Sequence, residues 1–311
     1  MGTADTATSG TGAELAARVQ ELKREMKAVI LAHNYQWPEV QDAADFVGDS
    51  LELSRRATQV EADFIVFCGV HFMAETAAIL NPSRPVLLAE PTAGCPMADM
   101  IDAESLAEWK VKYPRAAVVC YVNSSAAVKA LSDICCTSAN AVQVVNSVAA
   151  RQVLFVPDQN LGRYVASQTD KEVISYPGFC VTHHRLRAEH VIAARQAHPG
   201  AVLLAHPECR EEVWSLADAV LSTSQMLRYV AASPADTFLV ATESGILHRM
   251  QKDNPGKTFY TVSSGLVCPN MKKTTLASVA RTMERRENVV RVPEDVRRRA
   301  VVAIQRMLDL A

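Results

Sequence analysis

Three cysteines occur in closely similar surroundings: Thr92-Ala93-Gly94-Cys95-Pro96, Pro177-Gly178-Phe179-Cys180 and Gly265-Leu266-Val267-Cys268-Pro269. They stand 85 and 88 residues apart. One thiolate from each copy of a tripled unit would gather three soft ligands on a single metal centre and leave a fourth coordination position open for chemistry. Structural zinc normally takes closely spaced pairs such as C-x2-C. None occurs here, and Cys180-x2-His183 has no partner of similar spacing. An iron-sulfur cluster accepts ligands from distant segments and fits three isolated thiolates better, with one iron left to act as a Lewis acid. Two other readings stay open: a zinc protein using Cys180, His183 and another cysteine, and a metal-free α/β binding protein whose cysteines fill repeat cores. Cys68, Cys120, Cys135, Cys136 and Cys209 lie in or beside apolar runs, where cysteine acts as a small buried hydrophobe.

The elements that must position these thiols repeat with them. Apolar runs ending in polar residues lead to His33, Tyr121 and His206, spaced by 88 and 85. An Asp followed by hydroxyls recurs from Asp45 to Ser50, Asp133 to Ser138 and Asp218 to Thr223, and each hydroxyl opens a helical pattern. The runs Phe64–Phe67, Val153–Val156 and Phe238–Val240 come next. The approaches Val86–Leu88, Val173–Ser175 and Phe259–Val262 then lead to the cysteines. Each copy therefore reads as strand, helix, strand, helix, strand, with continuously apolar strands that belong to a parallel sheet covered on both faces. The expected fold class is α/β, with three pseudo-symmetric repeats whose strand ends face one central pocket.

A chain of 311 residues with 49% hydrophobic and 21% charged residues can bury a core, and its formal charge of -2 gives no basic footprint for nucleic acid. No run reaches the ~20 apolar residues that span a bilayer, and no secretory leader is evident, so reduced thiols and a cytoplasmic location are expected. The expected division is a disordered tail at 1–12, repeats at 13–108 (with an N-terminal helix), 109–194 and 195–276, and a C-terminal helical segment at 277–311. Leu15–Met26 and Arg281–Arg298 read as amphipathic helices.

From about Leu22 to Leu276 the chain resembles the quinolinate synthase family. The resemblance is carried by His33-Asn34-Tyr35-Gln36, Val47-Gly48-Asp49-Ser50, Tyr121-Val122-Asn123-Ser124, Thr137-Ser138-Ala139-Asn140, His206-Pro207-Glu208-Cys209, Ser222-Thr223-Ser224-Gln225 and the three cysteine segments. It implies three similar α/β domains arranged as a triangle around one 4Fe-4S cluster held by Cys95, Cys180 and Cys268. It also implies condensation of iminoaspartate with dihydroxyacetone phosphate to quinolinate, phosphate and water, and an L-aspartate oxidase as the candidate transient partner. His33, Ser50, Tyr121, Asn123, Ser138, His206, Glu208 and Thr223 are then the expected substrate contacts. Glu208, as general base, is the expected catalytic residue together with Tyr35 and His206. Leu221, where the family usually has glycine, and Trp37 depart from the pattern.

Overall fold

The computed structural model describes residues 11–310. Its strands form three four-stranded parallel sheets. The first contains β1 (Ala28–His33), β2 (Phe46–Gly48), β3 (Phe64–Cys68) and β4 (Val86–Leu88) in the order β2-β1-β3-β4. The second contains β5 (Ala117–Tyr121), β6 (Ile134–Cys136), β7 (Gln152–Val156) and β8 (Glu172–Ser175) in the order β6-β5-β7-β8. The third contains β9 (Val202–Ala205), β10 (Ala219–Val220), β11 (Thr237–Ala241) and β12 (Thr258–Thr261) in the order β10-β9-β11-β12. Each sheet thus has the same connectivity, with helices between successive strands, and the α/β expectation of three repeats is met.

Each sheet has one strand more than the three read from its copy of the sequence. The additional strand is β2, β6 or β10, an edge strand of only two or three residues between the repeated Asp and the hydroxyl. Such a segment is too short to show any periodicity. The repeated Asp builds it. Asp45 Oδ2 accepts from the Ile30 N–H at 2.9 Å, Asp133 Oδ2 from Val118 N–H at 2.7 Å and Asp218 Oδ2 from Leu203 N–H at 2.7 Å. The Asp backbone N–H groups return to the carbonyls of the same three residues. Each Asp therefore closes a two-way tie that fixes where the edge strand starts. Asp133→Ala should strand the N–H of fully buried Val118 and cost about 1–3 kcal/mol in chemical denaturation, whereas Asp133→Asn, which keeps an acceptor, should cost less than half of that.

Two units divide the described chain. One runs to Cys95 and includes Pro269–Val292; the other holds Pro96–Cys268 and continues from Pro293. The core of the first joins β1 and β3 to the helix Gly12–Met26, which buries Val19, Leu22 and Met26 from one face against Val279, Ala280 and Met283 of the helix Leu276–Arg285. Within the second, Leu203, Ala205, Leu239 and Ala241 of β9 and β11 pack with Leu186, Val191 and Val213.

The tail expected at 1–12 lies outside the described residues up to residue 10; Thr11 caps the first helix in a capping box with Glu14, and Gly12 begins it. The single helix expected over Arg281–Arg298 is not formed. The helix ends at Arg285, Arg286 and Asn288 take positive φ values of 49° and 60°, and a new helix, Glu294–Asp309, starts after Pro293. The left-handed residues and the proline interrupt the i to i−4 ladder that the basic periodicity suggested. The break lets the later helix pack on β6 in the second unit.

Candidate active site

In an open parallel sheet the ligand crevice lies beyond the carboxyl ends of the strands, where the strand order reverses. In each sheet here that point falls between the first and third strands in sequence, and polar residues collect there. In the second unit they converge on Glu208, three residues past β9 and 3% exposed. Tyr121, the last residue of β5, donates its phenol to Glu208 Oε1 at 2.8 Å, and Asn123 Nδ2 lies 3.4 Å from the same oxygen. Glu208 Oε2 stands 2.8 Å from His183 Nδ1 and 3.6 Å from His206 Nδ1. The His183 and His206 rings stack at 4.9 Å. His206 Nε2 reaches Ser138 Oγ at 3.2 Å, and His183 Nε2 reaches Thr242 Oγ1 at 2.8 Å.

The electrostatics follow from this packing. Burial pushes the Glu208 carboxyl up, but the charge and hydrogen bond of His183, the charge of His206 and the Tyr121 hydrogen bond together outweigh it and hold the group well below the usual carboxylate range. Glu208 therefore stays ionised, within reach of the Tyr121 phenol and the two imidazoles. Burial, and then the nearby Glu208 charge, push Asp158 up from its ordinary value. Asn123 Oδ1 is buried with no hydrogen-bond partner among the described residues.

The first unit carries the remaining strand-end residues. His33 ends β1, its Nδ1 accepts from the Tyr35 N–H at 3.2 Å, and the Tyr35 ring meets it edge-on at 4.5 Å. The same local geometry recurs at His206, whose Nδ1 lies 3.4 Å from the Glu208 N–H. In the neutral tautomer both rings then carry their proton on Nε2. Lys272 donates to the Tyr35 carbonyl at 2.5 Å and lies over the Trp37 ring, while Trp37 donates to the Lys272 carbonyl at 2.8 Å. Lys273 donates to the Thr92 carbonyl at 2.8 Å. Both lysines that follow Cys268 in sequence thus bind backbone carbonyls.

Two of the three hydroxyls open helices as expected, but they are not the caps. Asp49 caps the helix Ser50–Gln59 by accepting from Leu51 and Glu52, and Ser222 caps the helix Thr223–Ala232. Ser138 corrects the expectation: it sits in a turn ahead of the helix Ala141–Ser147, where Asn140 Oδ1 takes the Thr137 N–H, and its hydroxyl faces His206 instead. His183 and Thr242 were not among the expected site residues. Cys180-x2-His183 had marked His183 only as a zinc candidate, and Thr242, just past β11, could have been found by asking which residue follows the third strand of its repeat.

All eight cysteines are thiols; Cys95, Cys180 and Cys268 are half-buried, and the other five are buried. Gly178 is required by the protein itself, because a Cβ there would meet the Pro157 carbonyl oxygen at 2.6 Å. At Gly94 an added Cβ would meet nothing within 4 Å, and at Gly265 the nearest atom is Ser263 Oγ at 3.6 Å. Protein packing does not account for these two glycines, and open space next to a half-buried thiol suits a bulky inorganic group. The donor set of three cysteines at equivalent repeat positions fits an iron-sulfur cluster.

A buried carboxyl ringed by two imidazoles, a phenol and an amide beyond the ends of parallel strands is the kind of arrangement that an α/β enzyme uses for acid-base chemistry. Residues 17–309 match the family described as "NadA: Quinolinate synthetase A protein". The chain is 56% identical over 293 residues to the quinolinate synthase of Dehalococcoides mccartyi strain 195, covering 94% of this chain and 97% of that one. It is 54% identical over 290 residues to that of Thermodesulfovibrio yellowstonii (93% and 96%), and 56% over 296 residues to that of Methanosarcina barkeri (95% and 97%). The chain belongs to the quinolinate synthase family and is an enzyme. Among the described residues, no helix is long and apolar enough to cross a membrane.

Proposed function

We propose that the protein condenses iminoaspartate with dihydroxyacetone phosphate to give quinolinate, phosphate and water. Cys95, Cys180 and Cys268 hold one 4Fe-4S cluster. When bound, the cluster supplies a Lewis-acidic iron for dehydration. The observation that carries the reading is the meeting of Tyr121, Asn123, His183 and His206 on one buried carboxyl group, Glu208.

The chain's own residues do the rest. Both substrates are anionic, and Ser50 and Thr223, at the first positions of ten-residue helices, offer hydroxyls beside backbone N–H groups that favour carboxylate or phosphate. His33, Tyr121, Asn123, His206 and Ser138 orient the carboxylates. Ionised Glu208 takes up protons released during enamine formation and ring closure, with Tyr121 and His206 passing them on. Tyr35 assists the departure of phosphate. The enzyme acts in the cytoplasm, where its thiols stay reduced, and receives iminoaspartate from an L-aspartate oxidase in transient contact.

Anaerobic purification with iron and acid-labile sulfide analysis, followed by incubation with both substrates and detection of quinolinate by mass spectrometry, tests this. Iron and sulfide with product formation are expected; colourless protein that forms no quinolinate overturns the reading. The ligand atoms of Cys180, His183 and Glu208 lie within 4.8 Å of one another, which favours zinc as the second reading. Stoichiometric zinc in the same analysis would establish it.

A further inference from the structure

We infer that Asp158 and Glu243 are positioning residues for Cys180 and Cys268, each holding the backbone N–H of its cysteine so that the thiol is presented from a fixed turn. The inference rests on the assignment of those cysteines as cluster ligands. The two acids occupy the same place in their repeats, two residues beyond the third strand, and both are fully buried. Asp158 Oδ2 accepts from the Cys180 N–H at 3.3 Å, and Glu243 Oε1 accepts from the Cys268 N–H at 3.1 Å. The second oxygen of each carboxyl grips the segment on its own side: Asp158 Oδ1 takes the Asn160 and Leu161 N–H groups at 2.7 and 3.0 Å, and Glu243 Oε2 takes that of Gly245 at 2.7 Å. One carboxyl therefore staples the start of a helix to the turn that carries the thiol.

The fold does not need this staple. The backbone link beneath it, from the residue after the acid to a carbonyl two residues before the cysteine, is present in all three repeats: His71 to Ala93, Gln159 to Gly178 and Ser244 to Leu266, each at 2.8 Å. In the first repeat the acid's place is taken by buried Val70, and the link is unchanged. Burying a carboxyl costs free energy that an apolar residue would not. Its presence at two of three equivalent places calls for a reason beyond the fold, and the common partner at both is the cysteine N–H. The acids also match their loops in length. The shorter Asp serves the interval of 22 residues to Cys180, and the longer Glu serves the interval of 25 to Cys268. A cysteine whose φ is pinned from behind keeps its Sγ aimed without rearrangement, the service that supporting residues give to metal ligands.

The test uses the anaerobically purified holoenzyme and follows iron loss to a ferrous chelator by visible absorbance, with the spectrum of the reduced cluster recorded by electron paramagnetic resonance. Asp158→Ala and Glu243→Ala should lose iron about tenfold faster than the parent and alter the spectrum, in line with the usual effect of removing a ligand's support. Asp158→Asn and Glu243→Gln, which keep an acceptor oxygen, should stay within about twofold. Asp218→Ala, which removes an equivalent backbone acceptor away from the cysteines, controls for lost stability and should not speed iron loss. If the alanine variants do not fold, Asp158→Glu and Glu243→Asp carry the test, because they keep the acid but change its reach, and faster iron loss is expected. Parental rates and spectra in the alanine variants, or in the length-swapped pair, overturn the inference while leaving the cluster assignment intact. A parent that purifies without iron and sulfide overturns the assignment itself.

Discussion

Cys95→Ser, Cys180→Ser and Cys268→Ser each yield a folded chain that retains little iron and makes no quinolinate, whereas Cys120→Ser and Cys136→Ser retain parental iron. Serine is nearly the size of cysteine, but its hydroxyl is a poor soft-metal ligand at neutral pH, so loss of iron reports ligation rather than packing. Cys120 and Cys136 pack inside strands, and a hydroxyl in those places should instead cost about 1–3 kcal/mol in denaturant titrations without moving the iron count. The chemistry of the buried cysteines points the same way: burial pushes the Cys68 thiol up to about 12, and raises Cys136 and Cys209 as well. Cys120 differs. Burial pushes it up, yet Cys135, the Lys129 ammonium and Ser124 together bring it down to about 7. It is buried all the same, so alkylation of the cluster-free protein at pH 8 should label Cys95, Cys180 and Cys268 first. Equal iron loss across all of the serine variants would remove the distinction on which the cluster assignment stands.

Glu208→Gln has the second large effect. It should keep the cluster, since Glu208 is not among the three cysteines, yet lower kcat by about 10²–10⁴, the usual contribution of a positioned acid-base group. An amide cannot take up a proton, and its NH2 group would face the Tyr121 and His183 donors that now point at a carboxylate. The same substitution leaves a signature in stability. Because the folded chain holds this carboxyl below its ordinary value of 4.5, at about 2, its ionised form stabilises the fold at pH values above about 4.5, and that stabilisation fades as pH falls toward 2. The difference in Tm between the parent and Glu208→Gln should therefore be largest near neutral pH and narrow below pH 4.5. Parental kcat in the variant would remove Glu208 from the acid-base role. A Tm difference that widens in acid would show that its partners do not hold it ionised.

What the sequence disclosed was set by whether a signal repeated in recognisable form. Apolar runs of three to six residues at threefold spacing, from Val86–Leu88 to Ala28–His33, were legible, and so were the cysteines and the strand-end residues Tyr121, His206 and Glu208. The edge strand β10, only two residues long, carries no pattern of its own and is defined by a long-range tie to Asp218. Ser138 looked like Ser50 and Thr223 in sequence, but Asn140 turns the chain there and the helix starts three residues later. His183 could not be placed in the Glu208 network from spacing alone, because its partners Glu208 and Thr242 come from strand ends of a different sheet. The stop after Arg285 rests on left-handed Arg286 and Asn288, which side-chain periodicity does not report, although Pro293 in the same segment was a legible break signal.

The Asp tie at the edge of each sheet implies where this chain can change length. The interval from the tied strand residue to the Asp is 15 residues in all three copies, whereas the interval from the end of the third strand to the cysteine shrinks in the second copy. An insertion inside the 15-residue interval would break a bond made in both directions and displace the edge strand. The segment after the third strand holds a helix, the fourth strand and the cysteine turn, and its length has already varied between copies. Peptide tags or reporter segments should therefore be rejected inside the 15-residue interval.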